Sequence, residues 1–168
     1  MVALAAVFTL AGCGFHPLYG PRKTSRTAAV VATIKIDRIK DRKGQVLRNF
    51  LLDRLNPLGA PRRPRYVLRV TLTESRQELG IRKDETATRA NLRTVASFEL
   101  FRPGAKKPLF KGHSESTNSF NIVDSDFATL VAEADARKRA ARRLSDEIAT
   151  RLALYFDRTA ASRDQGGS

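Results

Sequence analysis

Apolar and polar residues alternate along four stretches of the chain, and this period of two predicts four β-strands. The first stretch, 30–36, is rich in β-branched side chains. The second and third, 66–73 and 92–100, carry an apolar residue at nearly every second position. The fourth, 109–119, has polar residues on both faces, so we expect it at the edge of a sheet.

Turn-forming residues separate the last three predicted strands. Residues 77–88 contain Gly80 and the charged cluster 82–85. We therefore expect the second and third strands to form a long hairpin with a polar tip. Proline and glycine within residues 102–108 predict a tight connection from the third strand to the fourth.

Two stretches follow the helical period instead. Between 42 and 55, apolar residues recur three or four positions apart until a turn at 56–59, which predicts a helix with Asp41 as its cap. A longer helix is predicted to begin after Asp124 or Ser125, since both can act as N-caps, and to end near residue 157. Its apolar stripe consists of Phe127, Leu130, Val131, Ala134, Ala141, Leu144, Ile148, Leu152 and Tyr155.

The order strand, helix, three strands, helix predicts an α+β domain over residues 29–158. We expect a four-stranded, mostly antiparallel sheet with two helices packed on one face. Because short connections reverse the chain direction, residues 62–65 and 102–108 should lie at one end of the sheet. The hairpin tip, the first strand-to-helix loop and residues 118–125 should lie at the other. Residues 159–168 are small and polar, and we expect them to form a disordered tail.

The N-terminal segment is apolar and ends at the only cysteine of the chain. Residues 2–12 contain no charged side chain, as in a secretory signal, and are too few to span a bilayer. Leu10-Ala11-Gly12-Cys13 matches the pattern of a bacterial lipoprotein signal. We expect a signal peptide at 1–12, a lipidated Cys13 whose thiol accepts a diacylglyceryl group and which incorporates palmitate, and a basic tether at 13–28. In the alternative interpretation, Cys13 is a buried thiol after an ordinary first helix or strand.

Positive charge dominates the chain, with 31 Lys and Arg against 17 Asp and Glu and a formal charge of +14. Such a charge favours a polyanionic partner: nucleic acid, an acidic membrane or a phosphorylated glycolipid. Of these polyanions, an acylated and exported protein, as the N-terminal segment predicts, would meet those that carry lipid phosphates. We expect the main binding cluster at the hairpin end, opposite the anchor: Arg82, Lys83, Arg89 and Arg93. A secondary basic patch, with phospholipid headgroups as an alternative ligand, consists of Arg62, Arg63, Lys106 and Lys107.

Residues that support catalysis or metal binding are sparse. His16 and His113 are the only histidines. Alternating side-chain directions along a strand separate His113 from Ser114 and Glu115, so these three do not form a triad. The sequence also has no Cys/His metal spacing, P-loop or dinucleotide-binding glycine pattern. We expect no enzymatic activity, no cofactor and no metal site.

Three stretches resemble the LptE family, the outer-membrane lipoproteins of lipopolysaccharide assembly, in the form found in alphaproteobacteria. They occur in the family's order and at its total length, and they cover residues 10–19, 45–51 and 125–136. The resemblance covers nearly the whole mature chain and agrees with the predicted order of elements. It implies a non-enzymatic lipoprotein at the outer membrane, facing the periplasm.

The resemblance also implies partners. Members of the family plug the β-barrel translocon LptD, help that barrel to fold and contact lipopolysaccharide on its way to the cell surface. We therefore expect an LptD-type barrel, lipopolysaccharide and, through Cys13, outer-membrane lipid as partners, with the chain inside the barrel lumen. No nucleic-acid partner is expected.

Two other functions stay open from the residues themselves. A basic α+β domain that binds nucleic acid would account for the charge. However, the chain has no Trp and only three Tyr on which bases would stack. A lipoprotein that acts on peptidoglycan or another envelope polymer is also compatible with the composition.

Overall fold

A computed structural model describes residues 27–81 and 87–165 of the chain. The strands are β1 (Ile34–Ile36), β2 (Tyr66–Ile81), β3 (Ala87–Phe101) and β4 (Phe110–Asn121). The helices are α1 (27–31), α2 (Asp41–Leu55) and α3 (Asp126–Gln165). The predicted signal peptide, Cys13 and most of the tether lie outside the described residues.

The four strands form one sheet in the order β1-β2-β3-β4. β1 is parallel to β2, with Ile34 opposite Tyr66, and α2 makes the crossover that a parallel pair needs. β3 is antiparallel to β2 and to β4. The predicted α+β class, the mostly antiparallel sheet and the edge position of β4 are confirmed.

β1 is shorter than predicted because the residues before it are helical. The Ala32 N–H donates to the Ala28 carbonyl, and the Thr33 hydroxyl donates to the Val30 carbonyl at 2.6 Å. Val31 is buried in the core, but it reaches the core from α1. Residues 28–32 are Ala-Ala-Val-Val-Ala, and this apolar run fits a helical turn as well as a strand, so hydrophobicity alone did not separate the two.

The hairpin of β2 and β3 is longer than predicted. Its pairing runs from Val67 with Phe101 to Ile81 with Ala87. β2 therefore continues about 40 Å beyond its last contact with β1, at about 3.3 Å per residue. The loop from β1 to α2, predicted at the hairpin end, lies instead beside Leu68, whose carbonyl accepts a 3.0 Å hydrogen bond from the Asp37 N–H.

The two main helices begin differently. At α2 the N-cap is Lys40 without a side-chain cap hydrogen bond, so the prediction that Asp41 caps this helix is wrong. Asp41 lies in the first turn, where a negative charge is favourable near the helix dipole. At α3, Ser125 acts as predicted, since its hydroxyl accepts a hydrogen bond from the Ala128 N–H at 3.4 Å.

α3 is longer than predicted, with 40 residues. It continues past the expected end near 157 and through 159–165, where a disordered tail was predicted. The Thr159 and Ser162 hydroxyls donate to carbonyls one turn earlier, so these polar residues satisfy their hydrogen bonds within the helix. Residues 166–168 lie outside the described chain.

The core lies between the sheet and the two main helices. Its fully buried side chains include Leu47, Leu51, Leu68, Phe98, Leu100, Leu144, Ile148 and Leu152. α2 has only 15 residues and lies beside the middle of α3, where Arg54 pairs with Asp146 and Arg142 lies over the Phe50 ring. The first turns of α3 therefore lack a helical neighbour, and Phe127, Leu130 and Val131 are 78%, 64% and 52% exposed. Among the described residues, no helix combines the length and the hydropathy of a membrane-spanning segment.

Candidate functional site

Two of the four predicted hairpin cations lie among the described residues. Arg89 and Arg93 are four positions apart on β3, so they project from the same face of the sheet about 13 Å apart. Both side chains are exposed. This face carries no helix, because the helices pack against the face of Phe98 and Leu100. Arg82 and Lys83 lie outside the described residues.

Arg93 forms a bidentate ion pair. Its Nε and Nη2 atoms donate to the two carboxylate oxygens of Glu115 on β4 at 2.5 and 2.6 Å. The paired hydrogen bonds raise the pKa of Arg93 and lower the pKa of Glu115. Arg89 has no ion-pair partner within 27–81 and 87–165. Arg89 therefore offers a ligand more uncompensated charge than Arg93 does.

The secondary basic patch lies at the other end of the sheet, as predicted. Arg62 and Arg63 precede β2, and Lys106 and Lys107 lie in the turn between β3 and β4. All four side chains are exposed. The length of β3 separates this patch from the hairpin tip by about 45 Å, so one compact ligand does not contact both clusters.

Charged side chains between β2 and α3 form a network that the sequence analysis missed. Glu74 accepts a hydrogen bond from Arg137 at 3.1 Å, and Glu133 accepts from Arg76 at 3.4 Å and also from Arg137. The two carboxylates are only 12% and 11% exposed. The sequence did contain a signal for this network. Glu74 and Arg76 lie two and four positions after Leu72 on β2, so all three side chains point to the helix-facing side of the sheet.

A cleft of about 670 Å³ opens beside this network, between α2, α3 and the sheet. Its apolar walls include Val46, Leu47, Phe50, Leu72, Ala134 and Leu144. Its rim carries Arg42, Lys43, Arg137 and Lys138, together with the carboxylates of Asp41 and Glu74. Periodicity had assigned several of these apolar residues to the core, but it did not show that they line an open cleft.

Thr94 on β3 also lines the cleft. Its side chain is 5% exposed, and its hydroxyl has no hydrogen-bond partner within the described part of the chain. Buried hydroxyls in native proteins are nearly always hydrogen-bonded. The Thr94 hydroxyl is therefore an exception among the buried polar groups of the described chain, and its oxygen is itself buried although the residue borders the cleft.

The remaining candidates for chemistry do not form a site. His113 is exposed on the helix-free face of β4, whereas Ser114 is buried on the opposite face. No group of His, Cys, Asp or Glu within 27–81 and 87–165 is arranged to hold a metal ion.

Comparisons with known proteins agree with the fold. A family model described as "LptE: Lipopolysaccharide-assembly" matches residues 31–152. A solved lipoprotein structure from Caulobacter crescentus CB15 is 25% identical and superposes with a TM-score of 0.65, covering 78% of this chain and 96% of that one. No curated protein matches the chain significantly in sequence.

Two more distant solved structures share the fold. The minor lipoprotein from Acinetobacter baumannii is 19% identical with a TM-score of 0.56, over 72% of this chain and 91% of that one. The rare lipoprotein B from Shewanella oneidensis is 15% identical with a TM-score of 0.52, over 78% and 98%. At these identities the likeness concerns the fold alone.

Proposed function

The chain belongs to the LptE family of lipopolysaccharide-assembly proteins, whose model matches residues 31–152, and from this premise we propose its role in the cell envelope. It is an outer-membrane lipoprotein, anchored through acylated Cys13 and facing the periplasm. It plugs the lumen of an LptD-type β-barrel, helps that barrel to fold and binds lipopolysaccharide during insertion at the cell surface. It has no catalytic activity.

The observation that carries lipopolysaccharide binding is the position of Arg89. The hairpin extends about 40 Å beyond the end of β1, and Arg89 lies near its far end without an ion-pair partner in the described chain. Guanidinium groups bind phosphate through paired, charge-assisted hydrogen bonds. Lipid A carries phosphates, so this end of the hairpin suits its headgroup. In the sequence, Arg82 and Lys83 follow β2 directly, but Asp84 and Glu85 come next, so residues 82–85 add no net charge.

Two surfaces support a protein partner. The helix-free face of the sheet is polar and carries the cross-strand ion pair of Lys111 with Glu99 at 2.7 Å; such a face suits the polar interior of a transmembrane barrel. At the start of α3, Phe127, Leu130 and Val131 form an exposed apolar patch. Contiguous exposed apolar patches are typical of interaction sites.

The alternative polyanion, nucleic acid, gains no support from the helix-free face. Its described residues include no tyrosine or tryptophan, and its phenylalanine, Phe101, is only 5% exposed beneath the Arg69 guanidinium. Bases would therefore lack the exposed stacking platforms that proteins use to bind single-stranded nucleic acids. The acidic side chains of Glu99 and Glu115 on the same face further oppose a continuous phosphate track.

Co-purification tests the partner. The full chain is isolated with an affinity tag from detergent-extracted envelopes. We expect a heat-modifiable β-barrel protein to accompany it, and recovery of the chain without a barrel would refute the plug role.

Radiolabelled palmitate tests the anchor: the wild type should incorporate label and Cys13→Ala should not. Equal labelling of both proteins would remove Cys13 as the acylation site.

Lipopolysaccharide titration tests the hairpin. Arg89→Glu should weaken binding to lipopolysaccharide, and the loss should be largest at low salt because exposed charges are screened by ions. Arg38→Glu is the matched control, since it makes the same charge change at an exposed residue of the loop before α2, outside both predicted basic clusters. Equal affinities of Arg89→Glu and wild type at low salt would overturn the assignment of the hairpin end.

A further inference from the structure

A groove of about 280 Å³ lies at the end of the sheet opposite the hairpin tip, between α1, the start of β2 and the last turns of α3. Aromatic side chains line it: the Tyr66 and Tyr155 rings pack 4.9 and 5.2 Å from the Phe156 ring. Arg65 and Arg102 are exposed at its edge, and neither forms an ion pair within the described residues. Rings and guanidinium groups both stack on aromatic side chains, so the groove suits an aromatic, apolar segment.

The N-terminal part of the chain joins the structure at this groove. Thr27 is the first described residue and lines the groove. Its hydroxyl donates a hydrogen bond to the Asp157 carboxylate on α3, which fixes the point where the preceding residues leave the domain. Between Cys13 and Thr27, large apolar or aromatic side chains occur only at Phe15, Leu18 and Tyr19.

Chain length favours this groove over the exposed apolar patch at the start of α3. Eight residues lead from Tyr19 to Thr27 and span at most about 26–29 Å. Leu130 of the patch lies 26 residues before Phe156 on the same helix, which is about 39 Å along its axis. Tyr19 therefore reaches the groove and does not reach the patch. A ligand on a short linker has an effective concentration in the millimolar range, so even a weak contact keeps the groove occupied.

Size and charge limit what enters the groove. Its volume is smaller than the about 300–1,000 Å³ of small-molecule sites, so it holds a few side chains rather than a whole lipid. Residues 21–26 carry three cations and no acidic group, and the cations of Arg65 and Arg102 repel them. The apolar residues 15–19 are thus the part of the segment that fits.

We propose that residues 15–19 dock in this groove and hold acylated Cys13 close to the domain. Cys13 precedes Phe15 by two residues, so at most about 7 Å of chain separates the anchor from the docked segment. This end of the sheet then faces the lipid surface, and the hairpin with Arg89 points away from it. The inference rests on the proposed function for the acyl anchor alone.

Disulfide cross-linking tests the docking in the mature chain, reconstituted in vesicles of phosphatidylethanolamine and phosphatidylglycerol. Leu18→Cys is combined with Ala160→Cys, which lines the groove, or with Ala161→Cys, an exposed neighbour outside it. The two positions are equally within reach, and an acylated Cys13 has no free thiol. We expect cross-linking to position 160 to be about tenfold faster. Equal rates, or no disulfide at either position because the segment enters the bilayer, would overturn the proposal.

Thermal unfolding provides a second measurement. Tyr19→Ser should lower the unfolding temperature by about 2–4 °C. In the background of Ala160→Phe, whose ring fills the groove, the same substitution should have less than half of that effect. Ala161→Phe is the matched control and should retain the full effect of Tyr19→Ser. An effect of the same size in all three backgrounds, or none in the wild type, would overturn the docking.

Mass spectrometry of the cross-linked samples separates this inference from the proposed anchor. If the N-terminal peptide is acylated and position 160 is not preferred, the anchor stands and the docking falls. If position 160 is preferred and the Cys13 thiol is unmodified, the docking stands and the anchor falls.

Discussion

Arg137 on α3 donates a 3.1 Å hydrogen bond to Glu74 on β2 and thereby ties the last helix to the long hairpin. The link lies level with the N-terminal end of α2, since Arg42 and Lys43 line the same cleft as Glu74 and Arg137. A small apolar cluster holds α3 to β3 and β4 at the same level, made of Ala90, Leu92, Phe120 and Ala136. Ion pairs thus extend the packing between helix and sheet past the main core.

Removing Glu133 should test how much this network stabilises the fold. Its carboxylate is 11% exposed and pairs with Arg76 and Arg137. Glu133→Ala leaves two partly buried guanidinium groups less compensated, so we expect a loss of about 1–3 kcal/mol in the free energy of unfolding, moderated by the partial exposure of the arginines. Urea unfolding measures it.

Asp135→Ala is the matched control for this experiment. Asp135 also pairs with an arginine one turn later on α3, but its side chain is 57% exposed and that of Arg139 is 50% exposed. An exposed pair contributes little, so the loss should stay below about 0.5 kcal/mol. Equal losses in the two variants would show that the network adds nothing beyond a surface ion pair.

Gly112 on β4 should not tolerate a side chain. A Cβ atom at this position would lie 2.5 Å from Cζ of Phe98. The Phe98 ring is 1% exposed and packs 6.0 Å from the Phe110 ring, so it has little room to move. We expect Gly112→Ala to destabilise the protein by about 1–3 kcal/mol, measured by thermal or urea unfolding.

A double mutant identifies the cause of that loss. Phe98→Leu shortens the side chain that the new methyl group would meet. In the double mutant of Gly112→Ala with Phe98→Leu, the loss in the free energy of unfolding should be smaller than the sum of the losses in the two single mutants. Additive losses would mean that the overlap with Phe98 is not the reason for glycine at 112.

The Glu115 carboxylate should titrate below its usual range because of Arg93. The bidentate hydrogen bonds lower the pKa of Glu115. A carboxyl group with a depressed pKa in the folded state contributes stability above its unfolded pKa and loses that contribution as the pH falls through its folded pKa. In Arg93→Gln, NMR titration of the Glu115 side chain should show a higher pKa. An unchanged pKa would contradict the pairing, and Lys111→Gln serves as a control on the same face.

The strands and main helices were predictable because burial on one face leaves a periodic pattern. Leu68, Val70 and Leu72 and their partners on β3 defined the sheet, and Leu144, Ile148 and Leu152 defined the buried half of α3. The far hairpin was not predictable from apolar periodicity, since Glu74 and Arg76 occupy the positions where apolar residues would mark a strand. Backbone pairing with β3 continues there regardless of side-chain polarity.

The site was predictable only as clusters of charge. The sequence identified Arg89 and Arg93 as neighbours on one hairpin, but the pairing of Arg93 with Glu115 depends on the register of β3 with β4. Whether the cleft forms depends on the length of α2 relative to α3. Whether the Thr94 hydroxyl has a hydrogen-bond partner depends on the side chains that surround it after folding. These are properties of the packed elements, which local sequence patterns do not contain.

The exposed apolar patch at the start of α3 should matter for the barrel and not for the fold. Leu130 is 64% exposed, so Leu130→Gln should change the free energy of unfolding by less than about 0.5 kcal/mol. It should reduce the recovery of the barrel protein in co-purification from envelopes. Leu154→Gln is the control, since Leu154 is 49% exposed on α3 outside the patch. Full recovery of the barrel with Leu130→Gln would exclude the patch from the interface.

Replacing Thr94 by valine should stabilise the protein. Valine has nearly the same shape as threonine and lacks the hydroxyl, which is 5% exposed as part of Thr94 and has no partner in the described chain. Relieving an unsatisfied buried hydroxyl should raise the free energy of unfolding by about 0.5–1.5 kcal/mol. Thr73→Val, at an exposed position of β2, should change it by less than about 0.5 kcal/mol. A destabilised Thr94→Val would mean that the hydroxyl already has a hydrogen-bond partner in the folded protein.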